Sequence, residues 1–180
     1  MRYRIGSIIL LAGLLMFGGM QLLPIGRQTN PPVHPERGFD KFLNVPPDIH
    51  AMMRRACMDC HSNETQWPWY SRIAPLSWAI VGDVNKGRKT MNLSEWSVGP
   101  GRRPEIAASM LAAACEDART RRMPRFPYST LHRSARLQPA EIDCFCAWTQ
   151  SEFTRLIKLK RQPGTSASVR LPSNETSKSE

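Results

Sequence analysis

The stretch Cys57-Met58-Asp59-Cys60-His61 has two cysteines separated by two residues, with a histidine directly after the second. Residues three apart on a helix lie about one turn apart on one side, so both thiols would face one partner. Covalent attachment of haem c uses this spacing: each thiol adds across a vinyl group of the porphyrin, and the adjacent histidine binds the iron. The motif predicts one covalently bound haem, attached at Cys57 and Cys60, with His61 as an axial ligand.

Two other kinds of site also use paired cysteines. A C-x-x-C pair can be half of a zinc site, and Cys144-Phe145-Cys146 could supply two more sulfurs, although a single intervening residue is an unusual spacing. A C-x-x-C pair can also be a redox-active dithiol, but such sites usually lie in a βαβ unit, which this sequence does not predict. We therefore favour haem over both alternatives.

The iron also has a position opposite His61. Met123, in the run Arg122-Met123-Pro124, is the best candidate for it, because methionine sulfur is a soft ligand that raises the reduction potential of haem iron. Most of the other methionines are expected to fill the core. His50 and His132 are the rival ligands.

The N-terminal part of the chain is strongly apolar. Residues 5–25 form an almost unbroken apolar stretch behind Arg2 and Arg4, about long enough to cross a bilayer. Positive charge ahead of such a segment favours a cytoplasmic N-terminus, and no A-x-A-like cleavage pattern follows it. We predict an uncleaved membrane anchor over residues 1–26, with the rest of the chain outside the cytoplasm.

The remainder divides into three parts. Residues 27–46 are rich in proline and predict an extended spacer. Residues 47–160 predict a helical domain, because candidate helices open at regular intervals and no alternating strand pattern is found. Residues 161–180, rich in Ser, Thr and Pro, predict a disordered tail. Candidate helices begin at Pro47, Pro75, Pro104 and Pro139. The predicted fold class is all-α.

The last helix has the clearest apolar periodicity, and it also suggests a disulfide. Its predicted core face is formed by Ile142, Cys146, Thr149, Phe153 and Leu156. Cys144 falls nearly opposite that face, whereas Cys115 follows Leu111 by one turn on an apolar face of the preceding helix. In a compartment where disulfides persist, we predict a bond between Cys115 and Cys146. Three reduced, buried thiols are the alternative.

The residues around and after the motif resemble the bacterial haem-binding domain family, small cytochrome c-like proteins. The likeness covers residues 21–148 and is carried by CMDCHSNETQWPWY at 57–70, Ile73-Ala74-Pro75, Trp78, Asn92-Leu93-Ser94-Glu95-Trp96, Met123-Pro124, Tyr128 and Leu131-His132. In that family an N-terminal hydrophobic segment precedes a single haem domain. The resemblance implies the same layout here, with a cytochrome c-like helical domain.

Several aromatic and basic side chains are candidates for the surroundings of the haem. Aromatic rings exclude water from a haem and so affect its potential; the alternative is that these rings form ordinary core. The candidates are Trp67, Trp69, Tyr70, Trp78 and Trp96. Tyr70, Arg72 and Tyr128 are candidate hydrogen-bond donors to the haem propionates.

The net charge of +10 does not choose a partner. No Lys/Arg-rich run alternates with stacking aromatics, so we do not expect nucleic-acid binding. The favoured function is electron transfer with an unidentified redox protein at the periplasmic face of a bacterial inner membrane. The alternative is a haem-based sensor or ligand-binding protein in which Met123 is displaceable. No acid–base pair near His61 is evident, so no catalytic residue is assigned and an enzyme is not favoured.

Overall fold

The computed structural model describes residues 2–97 and 102–161, and within these ranges the chain is helical, with no strand. The prediction of an all-α protein is therefore confirmed. The helices are α1 (Arg2–Leu22), α2 (Pro47–Ala56), α3 (Met58–His61), α4 (Leu76–Thr90), α5 (Pro104–Arg119), α6 (Phe126–Leu131) and α7 (Pro139–Arg161). Short 3-10 turns are Pro35–Arg37, Phe39–Lys41, Trp69–Arg72, Leu93–Glu95 and Arg133–Ala135.

Prolines mark the helix starts. Helices α2, α5 and α7 begin at the prolines predicted for them, because proline lacks an N–H that the first turn leaves unpaired and has a suitable fixed φ. Helix α4 begins at Leu76, directly after Pro75, and continues to Thr90. Helix α6 was not predicted. Of the predicted tail, Arg161 is the last residue of α7, and residues 162–180 lie outside the described ranges.

The centre of the domain is the packing of α5 against α7. Small residues allow the two helices to approach closely, and the side chains of Ala107 and Ala108 on α5 are fully buried. The predicted core face of α7 is confirmed, with four of its five side chains buried and Phe153 packed against the core. The structure contains the Cys115–Cys146 disulfide that the helix faces predicted, and it joins α5 to α7 with a Cα–Cα distance of 5.1 Å. Cys144 is exposed.

The proline-rich segment 27–46 differs from the expected free spacer. Phe39 and Leu43 are each 3% exposed and belong to the main core. The backbone carbonyl of Asn44 accepts a hydrogen bond of 2.7 Å from the indole of Trp148. Prolines make the segment irregular, but Phe39 and Leu43 are buried in the core and residues 42–44 are hydrogen-bonded to α7. This part of the segment is therefore packed on the domain and is not extended away from it.

Helix α1 has a different surface from the rest of the molecule. Its stretch Arg4–Leu22 is apolar, has 19 residues and is not buried anywhere inside the protein. By length and composition it is able to cross a membrane, and a signal sequence has the same properties.

Candidate functional site

The motif lies at a break between two helices. Helix α2 ends at Ala56 and α3 begins at Met58, with Cys57 between them at φ −124° and ψ −41°. Backbone hydrogen bonds to the Cys57 carbonyl from the N–H groups of Cys60 (3.2 Å) and His61 (2.9 Å) close the turn. The Met58 side chain is buried in the core and so anchors the turn there. The two thiols and the imidazole are therefore presented by one compact turn, residues 57–61.

The His61 ring is held in one orientation. Its Nδ1 lies 3.1 Å from the carbonyl oxygen of Met91, which can only accept, so Nδ1 carries the proton. This leaves Nε2 unprotonated in the neutral ring, as a metal ligand requires. Burial lowers the pKa of His61, against the opposing effects of the Met91 and Gly87 carbonyls and the Asp117 carboxylate. The neutral, ligating form is favoured.

Helix α4 passes very close to this turn at Gly87. A Cβ at that position would lie 2.3 Å from the carbonyl oxygen of Cys60 and 2.9 Å from its carbonyl carbon. Both contacts are to backbone, which cannot rotate away. Gly87 is therefore needed for the approach of α4, which in turn leads to the Met91 carbonyl that holds His61.

A hydrogen-bond network surrounds Asp59, inside the motif. Its carboxylate accepts from the Tyr128 hydroxyl at 2.7 Å and from the Gln66 N–H at 2.9 Å. Burial and the Asp59 carboxylate raise the pKa of Tyr128, so this phenol remains a donor. The Tyr128 ring stacks on His132 with centroids 4.2 Å apart. Asp59 thus connects the motif to α6.

The alternative ligands and propionate donors of the sequence analysis have other partners. His132 lies with Nε2 at 3.2 Å from the Tyr70 hydroxyl and Nδ1 at 3.2 Å from the Tyr128 carbonyl. His50 stacks on Phe39 in the core. The Tyr70 and Tyr128 hydroxyls are thus engaged within the protein. Arg72 lines a cavity beside the end of α1 instead.

Met123 follows a well-defined helix ending. The N–H of Arg122 donates to the Asp117 carbonyl at 2.9 Å and that of Arg121 to the Ala118 carbonyl at 3.2 Å, which is a Schellman motif. Arg121 has a φ of +58°, in the left-handed region where glycine is usual. The N–H of Met123 also donates to the Asp117 carbonyl, at 3.1 Å. Its backbone is therefore anchored to α5.

The side chain of Met123 is unlike those of the core methionines. It is 39% exposed, whereas Met52, Met53 and Met58 are buried, so it does not fill the core. Two residues after Met123, the Arg125 guanidinium donates to the Asp83 carboxylate of α4 at 2.9 Å. Helix α4 also contacts the 57–61 turn, at Gly87. The methionine segment and the 57–61 turn are therefore both held against α4.

Residues 15–151 match the family model described as a haem-binding domain. The chain belongs to this family. Comparisons with curated proteins and with solved structures find no match. The family match covers more than half of the chain and includes every residue described above. It supports haem as the cofactor of this site.

The haem-binding domain does not have the features of the two alternative cysteine sites. Burial raises the pKa of the Cys57 thiol to about 12 and that of the Cys60 thiol to about 11, whereas a reactive dithiol needs a lowered pKa. Cys146, one of the two further sulfurs considered for the alternative zinc site, is in the disulfide. Within residues 2–97 and 102–161, no group of three or more His, Cys, Asp or Glu is placed to hold a metal ion.

The aromatic residues do not form one wall. Trp96 is 2% exposed and belongs to the main core, as the simpler interpretation had it. The indole of Trp67 donates to the Asn30 side chain at 3.0 Å. Trp69 is 75% exposed. These rings lie in different environments, and a place beside the haem stays a prediction for those outside the core.

Sequence reasoning missed three contributors to the site. Gly87 has no signal of its role, since the pattern does not show which backbone approaches it. The Met91 carbonyl has no sequence signal at all, because any residue supplies a carbonyl. Asp59 was visible only as the variable position of C-x-x-C-H.

Proposed function

We propose that this haem-binding domain holds one covalently attached haem c and transfers electrons at the periplasmic face of a bacterial inner membrane. The observation that carries the proposal is the 57–61 turn, which presents two thiols and an imidazole whose Nδ1 is fixed by the Met91 carbonyl. That donor set fits haem c: two attachment points and one iron ligand. Bound haem supplies an iron that accepts and returns one electron.

The protein residues have separate roles in this proposal. Cys57 and Cys60 would hold the porphyrin, and His61 Nε2 would bind the iron, with the ring orientation set by the Met91 carbonyl. The Met123 sulfur would be the second protein ligand of the iron, because its backbone is anchored to α5 and its side chain is not used by the core. Two protein ligands on the iron would favour electron transfer over binding of a substrate.

The proposed location rests on two features outside the site. Helix α1 is apolar over the length needed to span a membrane. The Cys115–Cys146 disulfide suits an oxidising compartment such as the periplasm. Together they favour an anchored domain on the periplasmic side, where a soluble or membrane redox protein would be its partner.

A second candidate function is a haem-based sensor or ligand-binding protein. The observation that favours it is that the Met123 side chain takes no part in the core, so it could move away from the iron without repacking the core. A small ligand could then take its place. The two functions differ in how fast ligands bind to the reduced protein.

The experiment is to express the full chain with haem-maturation machinery and extract the denatured protein with acidified acetone. Covalently attached haem stays with the protein, and a matched Cys57→Ala/Cys60→Ala variant loses it. Optical redox titration of the same sample reports a single reversible one-electron couple, and exposure to carbon monoxide reports access to the iron. Extractable haem in the unmodified protein contradicts covalent attachment, and fast carbon monoxide binding contradicts the electron-carrier function.

A further inference from the structure

Three exposed apolar side chains lie in the segment that is hydrogen-bonded to the end of α1 and the residues after it. Trp69 is 75% exposed, Leu76 is 44% exposed and Ile73 is 37% exposed. They belong to the Trp69–Arg72 turn and the beginning of α4, separated by only a few residues. Exposed apolar side chains this close together along the chain indicate contact with an apolar partner. We call these three residues the 69–76 patch.

Two hydrogen bonds between a side chain of α1 and the backbone of Ala74 tie the patch segment to α1. The Gln21 side chain, in the last turn of α1, donates to the Ala74 carbonyl at 3.1 Å and accepts from the Ala74 N–H at 3.0 Å. Gln28 adds a bond of 2.6 Å to the carbonyl of Ser71. Since Ala74 lies between Ile73 and Leu76, these bonds fix the level of the patch relative to the helix end.

The length of α1 gives the depth of its end in a bilayer. The apolar stretch Arg4–Leu22 has 19 residues, which at about 1.5 Å per residue span about 28 Å. The hydrocarbon core of a bilayer is about 30 Å thick. A spanning α1 therefore places Gln21 at the boundary between hydrocarbon and headgroups, and Ala74 lies at the same level.

The charges around the patch also suit a lipid surface. A cavity of about 520 Å³ separates the end of α1 from the Trp69–Arg72 turn. Its lining includes Arg27 and Arg72, both exposed, and no carboxylate. Arginines at this level would face lipid phosphates, and tryptophan is enriched at membrane interfaces.

We propose that the 69–76 patch enters the interfacial layer of the same bilayer that α1 spans, as a second membrane contact of the domain. The inference rests on the proposed membrane location of α1. Its consequence is that the domain does not swing freely on its anchor. The 57–61 turn is held at a fixed height and orientation above the lipid.

The test uses the full haem-loaded chain in nanodiscs of phosphatidylcholine and phosphatidylglycerol, with acyl chains either ordinary or brominated both near the headgroup and near the middle of the chain. A bimane fluorophore is attached at one cysteine at a time. Trp69→Cys and Leu15→Cys are made in a Cys144→Ser background, and native Cys144 is the exposed reference. The ratio of fluorescence in the two lipids removes any quenching by haem.

We expect brominated lipid to reduce fluorescence at positions 15 and 69 and to leave position 144 unchanged. Quenching at 15 without quenching at 69 overturns the patch contact while the spanning helix stands. No quenching at 15 means that α1 does not span the bilayer. The proposed membrane location and the patch contact are then both contradicted. The haem spectrum of each labelled protein checks its fold, and Leu76→Cys replaces Trp69→Cys if that variant does not fold.

Discussion

Gly87 lies where α4 crosses the 57–61 turn, and Gly82 lies in the same helix with no atom within 4 Å of a Cβ at its position. The two glycines separate packing from helix propensity. We expect Gly82→Ala to stabilise the protein by up to about 1 kcal/mol, because alanine is the better helix former. Gly87→Ala should destabilise it by about 2 kcal/mol or more, because the methyl group meets the Cys60 backbone.

Urea unfolding of the two glycine variants measures this difference, and the yield of attached haem reports the state of the turn. A Gly87→Ala protein as stable as Gly82→Ala would show that α4 can move away from the motif at little cost.

Met123 separates an electron carrier from a sensor. In Met123→Ala we expect loss of the weak far-red charge-transfer band of sulfur-to-iron ligation, a lower reduction potential, and faster binding of carbon monoxide or cyanide, because a soft ligand is removed. Optical spectra and redox titration measure these changes. Met16→Ala, at an exposed methionine of α1, is the control. Unchanged spectra in Met123→Ala would leave Met123 as a loop residue only.

Helices α5 and α7 are joined by the Cys115–Cys146 disulfide, across a sequence separation of 31. In the chain-entropy model a loop of this size stabilises the fold by about 3 to 4 kcal/mol. We expect Cys115→Ala/Cys146→Ala to lose most of this, and Cys144→Ala, at an exposed thiol, to change the unfolding free energy by less than about 0.5 kcal/mol. Non-reducing peptide mapping should find the same pair, and a Cys115 to Cys144 link would contradict it.

Arg88 ties the N-terminal segment to the chain after the motif. Its guanidinium donates to the Thr29 carbonyl (2.7 Å) and the Asn30 side chain (2.8 Å), and also to the Ser62 carbonyl (2.7 Å) and the Thr65 hydroxyl (2.8 Å). We expect Arg88→Ala to destabilise the protein by about 2 to 3 kcal/mol, because several charge-assisted bonds are lost together.

Hydrogen exchange should then increase over residues 27–32 in the Arg88→Ala protein. Lys89→Ala, at the next and exposed position of α4, should leave exchange and stability unchanged. Equal exchange in the two variants would mean that the segment is held by its other contacts.

Among the elements, the helix starts were the most predictable, because proline and the apolar period are local signals. The docking of segment 27–46 was not predictable. Its proline content indicates irregular backbone, but the burial of Phe39 depends on a core to which α2 and later helices contribute together. A proline-rich sequence predicts irregular backbone equally well whether the segment packs on the domain or extends away from it.

For the whole molecule, membrane retention is the property to measure. We expect fractionated cells to contain the intact chain in the inner membrane, since the end of α1 is hydrogen-bonded to the domain through Gln21 and no cleavage pattern follows it. N-terminal sequencing of the protein in the membrane fraction shows whether α1 is retained. Gln21→Ala, which removes the hydrogen bonds between α1 and Ala74, is the control for packing. A soluble protein beginning near Gln28 would show that α1 is a cleaved signal.

The sequence by itself determined the all-α class, the starts of four helices, the pairing of Cys115 with Cys146, and the cysteine and histidine residues of the proposed site. These follow from spacings of a few residues along a helix, which are fixed before the chain folds. Tertiary structure decided which groups surround the motif. The carbonyl of Met91, the missing Cβ of Gly87 and the exposure of Trp69 are properties of contacts between distant segments, and a backbone carbonyl or an absent side chain leaves no pattern in the sequence to read.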